Sequence, residues 1–274
     1  MDHRRDCMTK TGKYQTLLDQ LRARGALAVA YSAGVDSTFL LAAAREALGE
    51  NVLALTAVTA AIPRRELAEA AAFAQALGIR HQLVEVDALA VPAFRENTPD
   101  RCYHCKKHIF TALWAAARAA GMAHLAEGST LDDDRDYRPG HRAIRELGVE
   151  SPLRQAELTK AEIRALSEQL GLPTAAKPSF ACLASRVPYG EIITAEKLRR
   201  IDAAEQTLRD LGFAQYRVRS HGDLARIEVP EPELEKLFSL RREVQSALTD
   251  LGFAYVTMDL RGFRSGSMNE TLLL

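Results

Sequence analysis

No stretch of the 274 residues is apolar for long enough to cross a bilayer, which sets aside a membrane-spanning helix. The opening MDHRRDCMTK lacks the apolar core of a secretion signal, so the cytoplasm is the expected compartment. Net charge is missing as well: 36 Lys and Arg stand against 36 Asp and Glu. A balanced chain exerts little long-range pull on polyanions, which argues against broad nucleic-acid binding and leaves room only for a local basic patch. Cysteine is scarce, with four in the chain. In a cytoplasmic setting so few thiols point to ligands or reactive groups rather than to disulfides. Two common nucleotide signatures are absent too: there is no Walker A lysine loop and no G-x-G-x-x-G. What is left is ordinary for a globular chain, 47% hydrophobic and 26% charged, with length for one large domain or two average ones.

The rest is organised around Val29 to Leu40. An apolar run, Ala26 to Tyr31, reads as a buried strand; Ser32-Ala33-Gly34 reads as a turn; Asp36 and Ser37 open an apolar helix, Thr38 to Leu48. A strand, a tight turn and a helix N-terminus make an anion site, because backbone N–H groups point outward and the helix dipole favours negative charge. Small residues let the backbone come close to the anion. Asp36 suits a Mg²⁺ carried with a phosphate rather than bare phosphate. Ser37 offers its hydroxyl to a phosphate oxygen or as an N-terminal cap. The same spacing also fits a plain strand-to-helix turn with a Ser/Asp cap.

Along the chain, Tyr14 to Arg24 has helical spacing, Val52 to Val58 and His81 to Val86 read as strands, and Pro63 starts a helix that Gly78 closes. Such alternation predicts a doubly wound parallel sheet with helices on both faces, and ligands at the carboxyl ends of its strands. A helix from Cys102 to Ala120, a strand His124–Glu127 and a polar loop, Gly128 to Gly140, follow. Ser151-Pro152-Leu153 reads as extended, and Thr159-Lys160-Ala161-Glu162 as a capping box. The domain boundary is expected near Pro188-Tyr189-Gly190, giving domains 1–188 and 189–274. The second is a small α+β unit: a helix Ala195–Leu211 capped by Thr194, strands Gln215–Ser220 and Leu224–Val229, a helix Glu231–Leu251, and a strand Phe253–Leu260. Leu-Gly-Phe-Ala occurs twice, at 211–214 and 251–254, each time where helix turns to strand.

Cys102 and Cys105 form a C-x-x-C at a helix start; Cys182 stands alone in a loop, and Cys7 lies in a tail expected to be disordered. A pair so placed can be a redox couple or supply two thiolates to a metal. A structural zinc site wants four ligands, usually from two such pairs; the second pair is missing here, though His104 or His108 could fill a place. Three cysteines also fit an iron–sulfur cluster with one iron left open, or three unconnected thiols.

Ser32-Ala33-Gly34-Val35-Asp36-Ser37 resembles the pyrophosphate loop, S-G-G-x-D-S, of the ATP-pyrophosphatase superfamily, whose members share the adenine nucleotide alpha-hydrolase-like fold. One departure stands out. Ala33 replaces the first glycine, and it would strain the loop if that position needs φ > 0. With the cysteines in view, the chain resembles the LarE family from about Tyr14 to Glu270. The carriers are the loop, Asp136-Tyr137-Arg138-Pro139-Gly140, Lys177 to Gly190 around Cys182, Tyr216-Arg217-Val218-Arg219, and Gly262-Phe263-Arg264-Ser265-Gly266-Ser267-Met268-Asn269.

That family comprises ATP-dependent sulfur transferases that build the nickel-pincer nucleotide cofactor. In one kind, the cysteine at the position of Cys182 gives up its own sulfur. In the other, three cysteines hold a [4Fe–4S] cluster carrying an extra sulfide. The resemblance implies the second kind, with Cys102, Cys105 and Cys182 as cluster ligands. It further implies ATP and Mg²⁺ on Ser32, Gly34, Asp36 and Ser37, with Thr56 and Val58 beside the adenine and Asp133 in the pocket. Cys182, Lys106 and Asp36 become the catalytic candidates; Lys106 or Lys107 would stabilise developing charge, or simply be a solvated helix face. Arg186, Glu205, Arg217, Arg219 and Arg264 become candidates for holding a pyridinium mononucleotide, with Arg135 a further pocket candidate. The family also implies a symmetric homo-oligomer, a hexamer built through the C-terminal unit, transient contact with other cofactor-biosynthesis enzymes, and no membrane or nucleic-acid partner. Rival readings are a tRNA thiolase with a similar cluster, a nucleotide-binding regulator with structural zinc, and an amidotransferase-type synthetase. The charge balance and the absence of a basic stripe weigh against RNA.

Overall fold

A computed structural model describes residues 2–135, 139–178, 181–264 and 266–268, without the side chains of 2–11, 134–135 and 139. Asp136-Tyr137-Arg138, Ser265, Asn269, Glu270 and the side chains of Cys7, Arg135 and Pro139, all named above, lie outside that description. In chain order the elements are α1 (Asp2–Arg22), β1 (Leu27–Ala30), α2 (Val35–Leu48), β2 (Val52–Val58), α3 (Arg64–Ala76) and β3 (Arg80–Glu85). Next come α4 (Pro92–Arg95), α5 (Arg101–Ala119), β4 (Leu125–Ala126), α6 (Pro139–Glu146), α7 (Pro152–Gln155) and α8 (Lys160–Gln169). The last are α9 (Ala195–Asp210), β5 (Arg217–His221), β6 (Leu224–Glu228), α10 (Leu234–Ser239), α11 (Arg241–Asp250) and β7 (Tyr255–Met258).

Two compact units result: Met1–Asp87 with Cys102–Phe180, and Ala88–Arg101 with Ala181–Leu274. The division between the units falls between 180 and 181, and residues 88–101 go with the second unit. Asn97 contributes to that assignment: its buried amide donates to the carbonyls of Val187 at 3.2 Å and Pro188 at 2.6 Å, and Ile193 N donates to the Arg95 carbonyl at 2.8 Å.

The first unit is the expected doubly wound α/β fold. Its four strands are all parallel, in the order β3-β2-β1-β4. Alternation along the strands shows that both faces are covered. Leu27, Val29, Val52 and Ala54 pack with α1, α2 and α8 residues such as Leu17, Phe39 and Ile163. Ala28, Leu53, Leu55 and Ala57 pack with Phe110, Leu113 and Ala117 of α5 and Ile144 of α6. β3 is the edge, and its side chains are largely exposed. Thr159 caps α8 in the capping box read from the sequence.

The second unit's sheet runs β5-β6-β7, with β5 and β6 antiparallel and β6 and β7 parallel. The repeated Leu-Gly-Phe-Ala is a helix-ending device. Gly212 at φ 77 and Gly252 at φ 93 turn left-handed. Phe213 and Phe253 donate back to Leu208 and Leu248, while the two glycines donate to Arg209 and Thr249, the paired bonds of a Schellman cap.

Three expectations change. α1 begins at Asp2, well before Tyr14. Ser151-Pro152-Leu153 is not extended: Pro152 opens the short helix α7, with its fixed φ suited to a first turn. The helix expected over 231–251 breaks into a 3-10 turn, α10 and α11. The break falls at Leu240, whose ψ of 9° leaves the helix, as Ser239 Oγ donates to the Lys236 carbonyl and competes with the helical bonds.

Candidate functional site

β1 ends at Ala30, and α2 opens at Val35 on a Gly34 N-cap that lacks a side-chain cap bond. The first-turn N–H groups are thus left for an anion. Ser32 Oγ and Ser37 Oγ lie 3.1 Å apart, and Ser37 Oγ donates to the Gly34 carbonyl at 3.3 Å. Ala33 does adopt φ 56. The conditional strain is therefore real, on the order of 1–2 kcal/mol for a residue with a Cβ. Gly128, which follows β4, has no room for a side chain: a Cβ there would stand 2.9 Å from Ser37 N and 3.1 Å from the Asp36 carbonyl carbon. In the sequence Gly128 stands only as the start of a polar loop, and its place just after a strand is the signal for this close approach.

Asp36 is half-buried beside these backbones. Its Oδ2 lies 3.4 Å from Lys160 Nζ, and its Oδ1 is buried without a hydrogen-bond partner. Burial pushes its pKa up, Lys160 opposes that, and the neighbouring Asp133 adds to it. An orphaned carboxylate oxygen beside helix N–H groups fits a Mg²⁺ carried by a phosphate chain. Lys160 was seen in the sequence only as part of a cap. Asp133 accepts from the Thr130 N–H at 2.8 Å and hydroxyl at 3.1 Å, which fixes the loop edge.

Thr56 and Val58 sit at the carboxyl end of β2. Thr56 Oγ1 donates to the Tyr31 carbonyl at 2.7 Å and meets His81 Nε2 at 2.8 Å. The Val58 carbonyl accepts from Val86 N at 2.9 Å. Thr56 therefore ties the end of β1 to β2.

Cys102 and Cys105 lie one turn apart at the start of α5, the first exposed and the second half-buried. The two adjacent lysines part company. Lys107 donates to Tyr103 Oη and Glu146 Oε2, each at 3.1 Å, and those bonds raise its pKa. Lys106 instead lays its stem on Gly140, where an added Cβ would come within 2.6 Å of its Cδ.

Cys182 belongs to the second unit. It is exposed and caps the 3-10 turn Leu183–Arg186. Beneath it, Arg186 is wholly enclosed. Its Nε and Nη2 fork onto Glu205 at 2.8 and 2.9 Å, and its Nη1 donates to the Ala181 and Cys182 carbonyls at 2.7 and 3.1 Å. Burial opposes ionisation of Glu205, but the Arg186 guanidinium holds its pKa below the usual range. Arg219 donates to the Ser185 carbonyl at 3.0 Å, Glu228 Oε2 at 2.7 Å and Ser267 Oγ at 2.9 Å. Arg217, pushed down to about 10 by burial and by Arg186, lies over the Phe263 ring. Arg264 pairs with Asp259 at 3.3 Å. Four of the five expected substrate residues, Arg186, Glu205, Arg217 and Arg219, are thus brought together under the Cys182 turn. Among the described residues, no three His, Cys, Asp or Glu side chains form a metal group. Among the described residues, no helix is long and apolar enough to cross a membrane.

A family model described as asparagine synthase matches residues 14–130. An uncharacterized protein of Synechocystis is 45% identical over 247 residues, 89% of this chain and 92% of that protein. The pyridinium-3,5-bisthiocarboxylic acid mononucleotide synthase of Lactiplantibacillus plantarum is 39% identical over 265 residues, 96% of each. An uncharacterized protein of Methanocaldococcus jannaschii is 29% identical over 237 residues, 86% of this chain and 90% of that protein. At that identity and coverage, and on this pyrophosphate-loop fold, the chain belongs to the LarE family of ATP-dependent sulfur transferases.

Proposed function

We propose that this chain adenylates a carboxylate of a pyridinium dicarboxylic acid mononucleotide and then replaces the activated oxygen with sulfur. The observation that carries this is the orphaned Asp36 oxygen beside the uncapped N-terminus of α2, at the carboxyl edge of a parallel sheet. ATP places its phosphates on the N–H groups of α2 and the hydroxyls of Ser32 and Ser37, and Asp36 takes the accompanying Mg²⁺. The carboxylate attacks the α-phosphorus and pyrophosphate leaves, giving an acyl adenylate whose leaving group is AMP. Sulfur then displaces AMP and leaves a thiocarboxylate.

Cys102, Cys105 and Cys182 would hold a [4Fe–4S] cluster, which when bound supplies sulfide as the nucleophile. Thiolates at C-x-x-C spacing and an exposed third cysteine support that donor set. Lys106 stabilises charge at the adenylate. Arg217, Arg219 and Arg264 hold the nucleotide phosphate, for which a planar fork is suited. Arg186 and Glu205, being enclosed, act as positioning residues for the Cys182 turn.

Protein purified without oxygen is expected to carry about four irons per chain and as much acid-labile sulfide. Cys102→Ala/Cys105→Ala should lose both while still binding ATP. Zinc or no metal in the unaltered protein would sink the cluster. Conversion of Cys182 to dehydroalanine, seen as loss of H₂S by mass spectrometry, would make that cysteine the donor. Thiolation of tRNA in place of the pyridinium nucleotide would overturn the substrate.

A further inference from the structure

Ala33 stands in left-handed backbone at φ 56, with a Cβ where the superfamily pattern has glycine. Such a conformation persists only where the surroundings over-determine it. Two contacts do so within the first unit. The Ala33 methyl is buried in the core. Its carbonyl oxygen accepts from Lys177 Nζ at 3.0 Å.

Lys177 is itself clamped. Its ammonium donates to Glu66 Oε2 at 2.6 Å and Glu69 Oε2 at 2.7 Å, both on α3. An ammonium has three donors, and all three are engaged. Its backbone is held as well: the N–H donates to the Thr174 carbonyl, and its own carbonyl accepts from Arg164 Nη2 at 2.9 Å. The side chain is largely buried, as is that of Glu66. This is a rigid strut from α3 to the one strained peptide of the loop. Turning Ala33 out of the left-handed region would swing its carbonyl away from the ammonium.

We infer that Lys177 is a positioning residue for ATP: it holds the Ala33 peptide in the conformation that aims the following N–H groups at the phosphates. It supplies by an outside contact what glycine would supply by conformational freedom. The ATP part rests on the function proposed above; the conformational part does not.

A double-mutant cycle of Ala33→Gly and Lys177→Met separates the possibilities. It is read by thermal unfolding without nucleotide and by ATP·Mg²⁺ titration calorimetry. With Ala33 in place, Lys177→Met is expected to lower Tm by about 5 °C and weaken ATP binding about tenfold. In the Ala33→Gly background both losses should shrink to about a third. Equal losses in both backgrounds would overturn the inference, since a lysine that only braces α3, or touches ATP directly, does not depend on residue 33. Should Lys177→Met fail to fold, Lys177→Met/Glu66→Gln/Glu69→Gln removes the uncompensated carboxylates and permits the same comparison. The two failures separate. An unaltered chain that does not bind ATP defeats the proposed ATP site, while the Tm cycle still decides the strut.

Discussion

Gly128→Ala is expected to cost about 1–3 kcal/mol of stability, the range for overpacking a site that cannot give. Turnover should fall about 100-fold, because the displaced atoms carry the N–H groups proposed above to bind phosphate. The added methyl would stand 2.9 Å from Ser37 N and 3.2 Å from Ser37 Cα, and both are backbone. Relief therefore requires moving the N-terminus of α2 or the end of β4. Gly140→Ala is the matched control. Its methyl would meet the Lys106 side chain, closest at Cδ, and a flexible stem can turn aside. Thermal unfolding and ATP titration of the two variants should diverge sharply. Equal ATP affinity in Gly128→Ala and the unaltered chain would mean the close approach of β4 to α2 has no bearing on the nucleotide.

The contrast between Gly128 and Ala33 shows how tightly this loop is bounded. One position needs no side chain because a neighbouring strand presses on the loop from outside. The other carries a side chain at a left-handed φ and is held by burial and a lysine. Glycine content alone would have ranked them the other way. Local pattern revealed the loop, but the contacts that tune it come from β4 and the segment at Lys177, roughly 90 and 140 residues downstream.

That distinction marks what the sequence could reveal. Strand alternation, the Thr159 cap and the Gly212 and Gly252 terminators are local signals, and the elements they predict are present. The C-x-x-C and the clustered arginines were equally visible as patterns. Lys160 was hidden because its partner, Asp36, lies over a hundred residues away. The break at Leu240 was hidden because helical spacing continues through it while Ser239 turns its hydroxyl back. Residues 88–101 join the second unit through the Asn97 amide and through backbone bonds from Gly190 and Ile193, contacts to backbone groups that carry no sequence signal. Arg186 was visible as a charge, but not as an enclosed one. Burial of a paired ion depends on its partner, and Glu205 arrives from a separate helix.

That enclosed pair sets the second large effect. Glu205→Ala should destabilise the chain by about 3–5 kcal/mol, since it leaves a guanidinium in the interior without its countercharge. It also removes the acceptor for Val218 N, which links α9 to β5 at 3.1 Å. Acid should act in the same direction. Glu205 titrates below its unfolded value in the folded chain, so its contribution is complete above the ordinary carboxylate range. It disappears as pH falls through the lowered native pKa. The double replacement Arg186→Met/Glu205→Leu should recover most of the stability, because neither charge remains to be desolvated. It should not recover sulfur transfer. The Ala181 and Cys182 carbonyls would still lack the Arg186 donor that shapes the turn beneath the thiol. Thermal unfolding, alkylation rate at Cys182 and thiocarboxylate yield, measured on the same three proteins, test both halves. A double variant as stable and as active as the unaltered chain would show that the pair merely fills space, and that the Cys182 turn holds its shape without it.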